Sequence, residues 1–302
     1  MSVPVFQHLR SDFFVTAPVE KYRHPALFYG PSIAVPWIMW SAAGYLSRLP
    51  GDTHALAVSV LGFLGLIAPM VVAAALTFRD PDLRSDVLAR LFLVRGVRPR
   101  YLLAACLLML ASILAAQFIS LAFGYSPAQF ALARHFSFSS GVVPVWFVLL
   151  AAPAIEELAW HSYGTDCLRR RFSLFTTSLL FAGFWGAWHM PLALIKGYYQ
   201  SNLVESGWIY SGNFLLSIFP FVLLMNWLYY RARRSILVAI IFHVTGGYFN
   251  EIFATAPMSK VIQTGLLCIF CFVLIARERG FFFSTADRHR AEVGLTGSRT
   301  GA

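Results

Sequence analysis

Charge is scarce in this sequence. Of 302 residues, 13% are Asp, Glu, Lys or Arg, about half the roughly 25% of a globular domain. Acids are fewest, 14 in all. The four cysteines, Cys106, Cys167, Cys268 and Cys271, are too few for a disulfide scaffold. Cys268 and Cys271 have C-x-x-C spacing, but no second pair or suitable histidines follow, so they read as small apolar fillers. The chain also lacks a Gly-rich phosphate loop, G-x-S-x-G, a Ser/Lys pair, and H-E-x-x-H or its inverse. Residues 1–26 have no apolar h-region and mix Asp12, Glu20, Lys21 and Arg23, so no cleaved signal peptide is expected. No internal repeat is evident.

What the chain has instead is hydrophobic surface. It is 58% hydrophobic and 16% aromatic, with 28 phenylalanines, and its mean hydropathy is +0.65. A soluble fold of this length could not hide that much apolar area. The expected fold is an all-α, polytopic membrane helix bundle, because hydrocarbon gives a crossing backbone no hydrogen-bond partner. Eight stretches are long and apolar enough: 27–47, 55–78, 101–123, 143–167, 173–195, 208–230, 235–253 and 258–276. The expected division is a cytoplasmic segment 1–26, a membrane bundle 27–276 with its core at about 143–253, and a flexible cytoplasmic tail 277–302.

The basic residues orient this bundle. Of the 24 Lys and Arg, 20 fall in alternate segments on the side of the N-terminus, and the other four segments carry one each. By the positive-inside rule both termini face the cytoplasm, together with Arg79–Arg100, Arg169–Arg171 and Arg231–Arg234. The net charge of +10 is thus a topology signal, with anionic lipid as a partner. A nucleic-acid partner is not expected. In the 79–100 connector, Val87, Leu88, Leu91 and Phe92 recur at 3–4 spacing among arginines, as in a short interfacial helix. The outer loop 124–142, with Tyr125, Phe130, His135, Phe136 and Phe138, is a second candidate to lie on the membrane surface.

Ionisable groups inside a span are expensive, and each is a functional candidate by default. Here they gather on three spans. Span four holds Glu156, Glu157 and His161, with Asp166 near its cytoplasmic end; span five holds His189; span seven holds His243. At about 1.5 Å rise per residue, Glu156 lies roughly 20 Å from Arg169, His189 roughly 24 Å from the start of its span, and His243 roughly 14 Å from Arg234. The depths overlap, so one shared site is expected. Glu156 and Glu157 are about 100° apart on a helix, and His161 stacks one turn beyond Glu157. Taken alone, Glu157 with His161 reads equally well as a buried packing pair.

A carboxylate with two histidines in a low-dielectric site suits water activation. The histidines can share a proton, steady an oxyanion or ligate a metal. A divalent metal such as zinc, held by Glu156, His189 and His243, fits these residue types as well as a metal-free centre does.

At these residues the sequence resembles a known family. Glu156-Glu157-Leu158-Ala159-Trp160-His161, Phe184-Trp185-Gly186-Ala187-Trp188-His189-Met190-Pro191 and Ile241-Phe242-His243 are similar to the CPBP family of CAAX prenyl-protease and bacteriocin-processing (Abi) intramembrane proteases. That family carries E-E-x-x-x-R, F-x-x-x-H and H-x-x-x-N/D on separate helices. The resemblance implies an intramembrane endopeptidase acting on a membrane protein or peptide, which in this family includes prenylated ones, in the plasma or inner membrane. It assigns Glu156 as the base for water with His189 assisting, His243 to the oxyanion, and Glu157 to holding the site together through the arginine position.

Three positions depart from the pattern. Trp185 stands where the family has Phe, an exchange of aromatics expected to matter little. His161 replaces the arginine, and a planar, always-charged group is not conservatively exchanged. Gly247 replaces the last Asn/Asp, losing an oxyanion donor worth ~10²–10³ in rate unless Asn250 or Thr245 substitutes. A non-catalytic relative, serving bacteriocin immunity or partner binding, is the alternative these changes leave open. A proton-coupled transporter is another, disfavoured by the lack of inverted repeats and broken paired helices.

Overall fold

A computed structural model of the chain describes residues 19–51, 53–139 and 142–285. The expectations for residues 1–18 and for the tail from 286 onward lie outside the described residues. Among the described residues the fold is all helix, and β structure is limited to one isolated bridge, Leu132 to Phe253. The helices are α1 (Pro25–Leu46), α2 (Ala55–Phe78), α3 (Pro81–Leu91), α4 (Pro99–Leu121), α5 (Val145–Ala159), α6 (Thr165–Arg169), α7 (Leu174–His189), α8 (Tyr199–Ser206), α9 (Trp208–Arg231), α10 (Ile236–Ile252), α11 (Pro257–Arg277) and α12 (Arg279–Phe283). A π turn, Trp160–Gly164, joins α5 to α6, and a 3₁₀ turn, Met190–Leu194, follows α7.

Local sequence sets many of these starts. Proline opens α1, α3, α4 and α11, where its missing N–H would have no helical partner anyway. Asp80 caps α3 by accepting from the Asp82 and Leu83 amides, and Ser173 and Ser235 cap α7 and α10. The 79–100 connector contains the expected short helix, α3. It buries Leu83, Val87 and Arg90 and exposes Leu88, and Phe92 just past its end is exposed as well.

All eight expected spans fall on helix, but the count of eight is not reached by length and composition. Four helices, α2, α4, α9 and α11, are long and apolar enough to cross a membrane, or five if α7 with its 3₁₀ turn and α8 count as one span bent by 81°. The physical reasons are local. Span four is split by the π turn, α10 has 17 residues, and α1 is diluted by Pro25, Pro31, Pro36 and its Trp and Tyr residues. Exposed Phe63, Leu64, Leu103, Leu107 and Leu216 give the bundle the apolar outer surface of a membrane protein.

Close approach of α1 and α2 depends on Gly65. A Cβ there would lie 2.2 Å from Trp40 Nε1, which donates instead to the Gly62 carbonyl at 3.0 Å. Trp40 then meets Trp188 edge-on at 4.5 Å, and Trp188 meets Trp160 at 5.5 Å. These buried rings form the wall against which α5 and α7 present their polar groups.

Candidate active site

Two adjacent glutamates end α5, and both are buried. Being about 100° apart, they face different neighbours. Glu156 Oε2 accepts the indole N–H of Trp185 at 2.9 Å and that of Trp160 at 3.3 Å. Its Oε1 makes no hydrogen bond to the described residues. Trp160, one turn beyond Glu156, opens a π turn, all five of whose residues are buried. Such turns insert a residue into a helix and recur at functional sites. Trp185 therefore does more than fill the Phe position: its indole supplies a donor that phenylalanine lacks.

Glu157 is shared between two histidines. Its Oε2 meets His161 Nδ1, and its Oε1 meets His243 Nδ1 at 2.7 Å. The other nitrogen of His161 faces Asn226 Oδ1 at 2.9 Å. Asn226 is fixed in that sense because its amide donates to Ser178 Oγ, which itself donates to the Leu174 carbonyl. Both nitrogens of His161 thus face side-chain oxygens, those of Glu157 and Asn226. His161 links two polar partners at the arginine place rather than acting as a spacer.

His189 sits at the end of α7 with Nδ1 2.8 Å from the Trp185 carbonyl. A carbonyl only accepts, so Nδ1 carries the hydrogen, and in the neutral ring Nε2 is the nitrogen with the free lone pair. The rings of His189 and His243 each pack 5.1 Å from the indole of Trp185, which stands between them.

Glu156, His189 and His243 line one cavity of about 400 Å³, within the usual size of a ligand site. Its remaining wall is mainly apolar and aromatic, with polar residues such as Ser217 and Gln263, and it includes Gly247 and Asn250. Thr245 is not at the cavity. Its hydroxyl lies 2.9 Å from the carbonyls of both Ala105 and Phe242. Asn250 does line it, with its amide donating to Glu251 at 3.1 Å and toward Tyr199 at 3.4 Å. At Gly247 a Cβ would meet only Leu149, at 4.0 Å, so a side chain has room. Among the described residues no group of three or more His, Cys, Asp or Glu is placed to hold a metal ion.

A second polar cluster lies under the π turn, and nothing in the sequence pattern announced it. Arg90 of α3, 4% exposed, donates to Asp86 at 2.9 Å, to Tyr22 at 2.7 Å and to the His161 carbonyl at 3.2 Å. Arg234 bridges Asp86 and Asp166 at 3.0 and 2.5 Å, and Tyr230 donates to Asp166 at 2.9 Å. Burial opposes the charge on Arg90, but the oxygens of Tyr229, Asp166 and Tyr22 outweigh it and hold the guanidinium above its ordinary range. Arg233 and Arg234 both take left-handed backbone conformations, with φ of 61° and 62°. The ion pairs of Arg234 hold it there against a cost of ~1–3 kcal/mol. The cluster fastens α3 and the α9–α10 corner to the segment that carries His161.

Comparison with known proteins covers the same part of the chain. The sequence profile of the type II CAAX prenyl endopeptidases, Rce1-like, matches residues 137–249, a stretch that contains Glu156, Glu157, His161, His189 and His243. A protein called CAAX prenyl protease 2, from Methanococcus maripaludis, is 34% identical over 268 residues, covering 88% of this chain and 98% of that protein.

Proposed function

The chain belongs to the Rce1-like CAAX prenyl endopeptidases of the CPBP family of intramembrane proteases, and from that premise we propose that it cuts a peptide bond of a membrane-associated, prenylated substrate with a water activated by Glu156. As a protease it is a hydrolase, and the similarity to CAAX prenyl protease 2 favours this reading over the non-catalytic and transporter alternatives. The observation that carries the mechanism is the convergence of Glu156, His189 and His243 on one mainly apolar cavity.

In this reading water lies between Glu156 Oε1 and His189 Nε2. Glu156 takes one proton, and the hydroxide attacks the scissile carbonyl. The carbon becomes tetrahedral and its oxygen carries the negative charge. His243, with Nδ1 held by Glu157, directs Nε2–H at that oxygen. When the C–N bond breaks, Glu156 returns its proton to the leaving nitrogen and the hydroxyl stays on the new carboxyl group. Trp185 and Trp160 keep Oε2 oriented, so that Oε1 is the atom presented to water. Glu157 and His161 hold His243 in place.

The apolar wall of the cavity suits a lipid-modified substrate. A prenyl chain buried there would contribute about 25 cal/mol per Å² removed from water. The test is a cleavage assay of purified protein on a C-terminal peptide, with and without its prenyl group. Selective cleavage of the prenylated peptide, lost in His189→Ala and His243→Ala, is expected. Equal cleavage of both peptides would refute the substrate assignment, and full activity in both variants would refute the mechanism.

A further inference from the structure

A second cavity of about 220 Å³ adjoins the catalytic one, sharing Tyr199, Phe214, Ser217, Asn250, Gln263 and Thr264 with it. Its character is different. On α9, Tyr210, Asn213 and Ser217 recur at 3–4 spacing along one face of the helix's first half. On α11, Lys260, Gln263 and Thr264 do the same. The two polar stripes line the same chamber. Polar side chains within a spanning helix are retained where they line water or protein rather than lipid.

The chamber has an outer and an inner end. Ser206, at the end of α8, is exposed and belongs to its lining. Ser217 lies roughly 13 Å along α9 from its first residue at 1.5 Å per residue, and it lines both cavities. Several polar groups in between are already partnered: Gln263 donates to Ser112 at 2.8 Å, and Lys260 lies 3.5 Å from Glu251. The Asn213 and Tyr210 side chains form no hydrogen bond with other described residues, which leaves their donors and acceptors for water. The catalytic cavity itself is rimmed by Phe63 and Phe147, both half exposed on the apolar surface of the bundle.

We propose that this chamber is the water supply of the active site, leading solvent from the Ser206 rim past Asn213 and Ser217 to Glu156. A hydrolase consumes one water per bond cut, and an apolar cavity filled by substrate cannot admit it past the Phe63 and Phe147 rim. The lining fits water better than an anion, since Lys260 is already offset by Glu251. The volume holds a small cluster of waters, each needing two to four polar partners. The inference rests on the hydrolytic reading above.

Two measurements on the full-length protein in lipid nanodiscs test it. Asn213→Trp fills the passage, and Asn213→Ser keeps it open and polar. With Asn213→Trp, kcat should fall at least about tenfold while KM stays within about twofold, and Asn213→Ser should keep the wild-type rate. A rise in KM alone would make the chamber a substrate path and overturn the proposal, as would unchanged kcat in folded Asn213→Trp protein. The second measurement is independent of turnover. With the four native cysteines replaced, Asn213→Cys should react with a charged, membrane-impermeant methanethiosulfonate, whereas Leu216→Cys on the lipid face should not. An unreactive Asn213→Cys would refute a wet chamber. A wild-type protein that cuts no peptide would instead refute the hydrolytic reading, and labelling would still decide whether the chamber holds water.

Discussion

The indole N–H of Trp185 points at Oε2 of Glu156 from 2.9 Å, and the carbonyl of the same residue accepts from His189. One residue therefore orients both groups assigned to the attacking water. Hydrogen bonds to a charged group contribute about 1.5–3 kcal/mol, so Trp185→Phe, which keeps the ring and deletes the donor, should lower kcat by ~10–100-fold. Steady-state cleavage kinetics check this. An unchanged kcat would return the residue to a packing role.

His161 can be tested as the counterpart of Glu157. His161→Phe would leave a buried carboxylate with one partner fewer and Asn226 Oδ1 unpaired, and breaking a buried pair typically costs ~3–5 kcal/mol. Thermal unfolding in detergent should show that loss. Asn226→Leu, which removes only the outer partner, should cost less, about 1–3 kcal/mol. Equal and small effects in both would show that the Glu157–His161 contact carries little.

Gly247 offers a gain-of-function test. The open space beside it admits a side chain, so Gly247→Asn should fold and supply a donor at the cavity wall. A rise in kcat toward the ~10²–10³ attributed to such donors would mean that Asn250 does not fully substitute. No change in rate would mean that it does, or that His243 suffices.

The cluster beneath the π turn should be structural in its first effect. Asp166→Asn leaves Arg234 and Arg90 with diminished partners in a buried setting, and a loss of ~3–5 kcal/mol is expected. Limited proteolysis should then cut near α3, which Arg90 and Asp86 fasten to this cluster. Wild-type stability and proteolytic resistance would contradict that role.

The polar centre was legible because ionisable groups in hydrocarbon are costly enough to stand out singly. Glu156, Glu157, His161, His189 and His243 could be picked from 302 residues by depth. Their partners were not legible. Trp185 and Trp160 are two of eight tryptophans, and nothing in their spacing marks an indole as a hydrogen-bond donor to a carboxylate. The π turn leaves no periodic signal, since Trp160-His161-Ser162-Tyr163-Gly164 contains no residue type that distinguishes such a turn from ordinary helix. Arg90 and Asp86 read as polar residues of a short interfacial helix, yet Arg90 is only 4% exposed. Asn226 had a signal that went unused: it is an uncharged polar side chain, fully buried, in the inner half of a spanning helix. The span count of eight is left unconfirmed for a related reason. Hydropathy averages over a window and cannot see the breaks at Trp160–Gly164 and Met190–Leu194.

The assignment of Glu156 as the base is tested most directly by Glu156→Gln, which keeps the shape of the side chain and its contact with Trp185. Binding of a prenylated peptide and its single-turnover cleavage would be measured on the same purified protein. The account predicts binding close to wild type with cleavage reduced by at least ~10³-fold, the scale of losing a catalytic base. Cleavage by Glu156→Gln at the wild-type rate would contradict it.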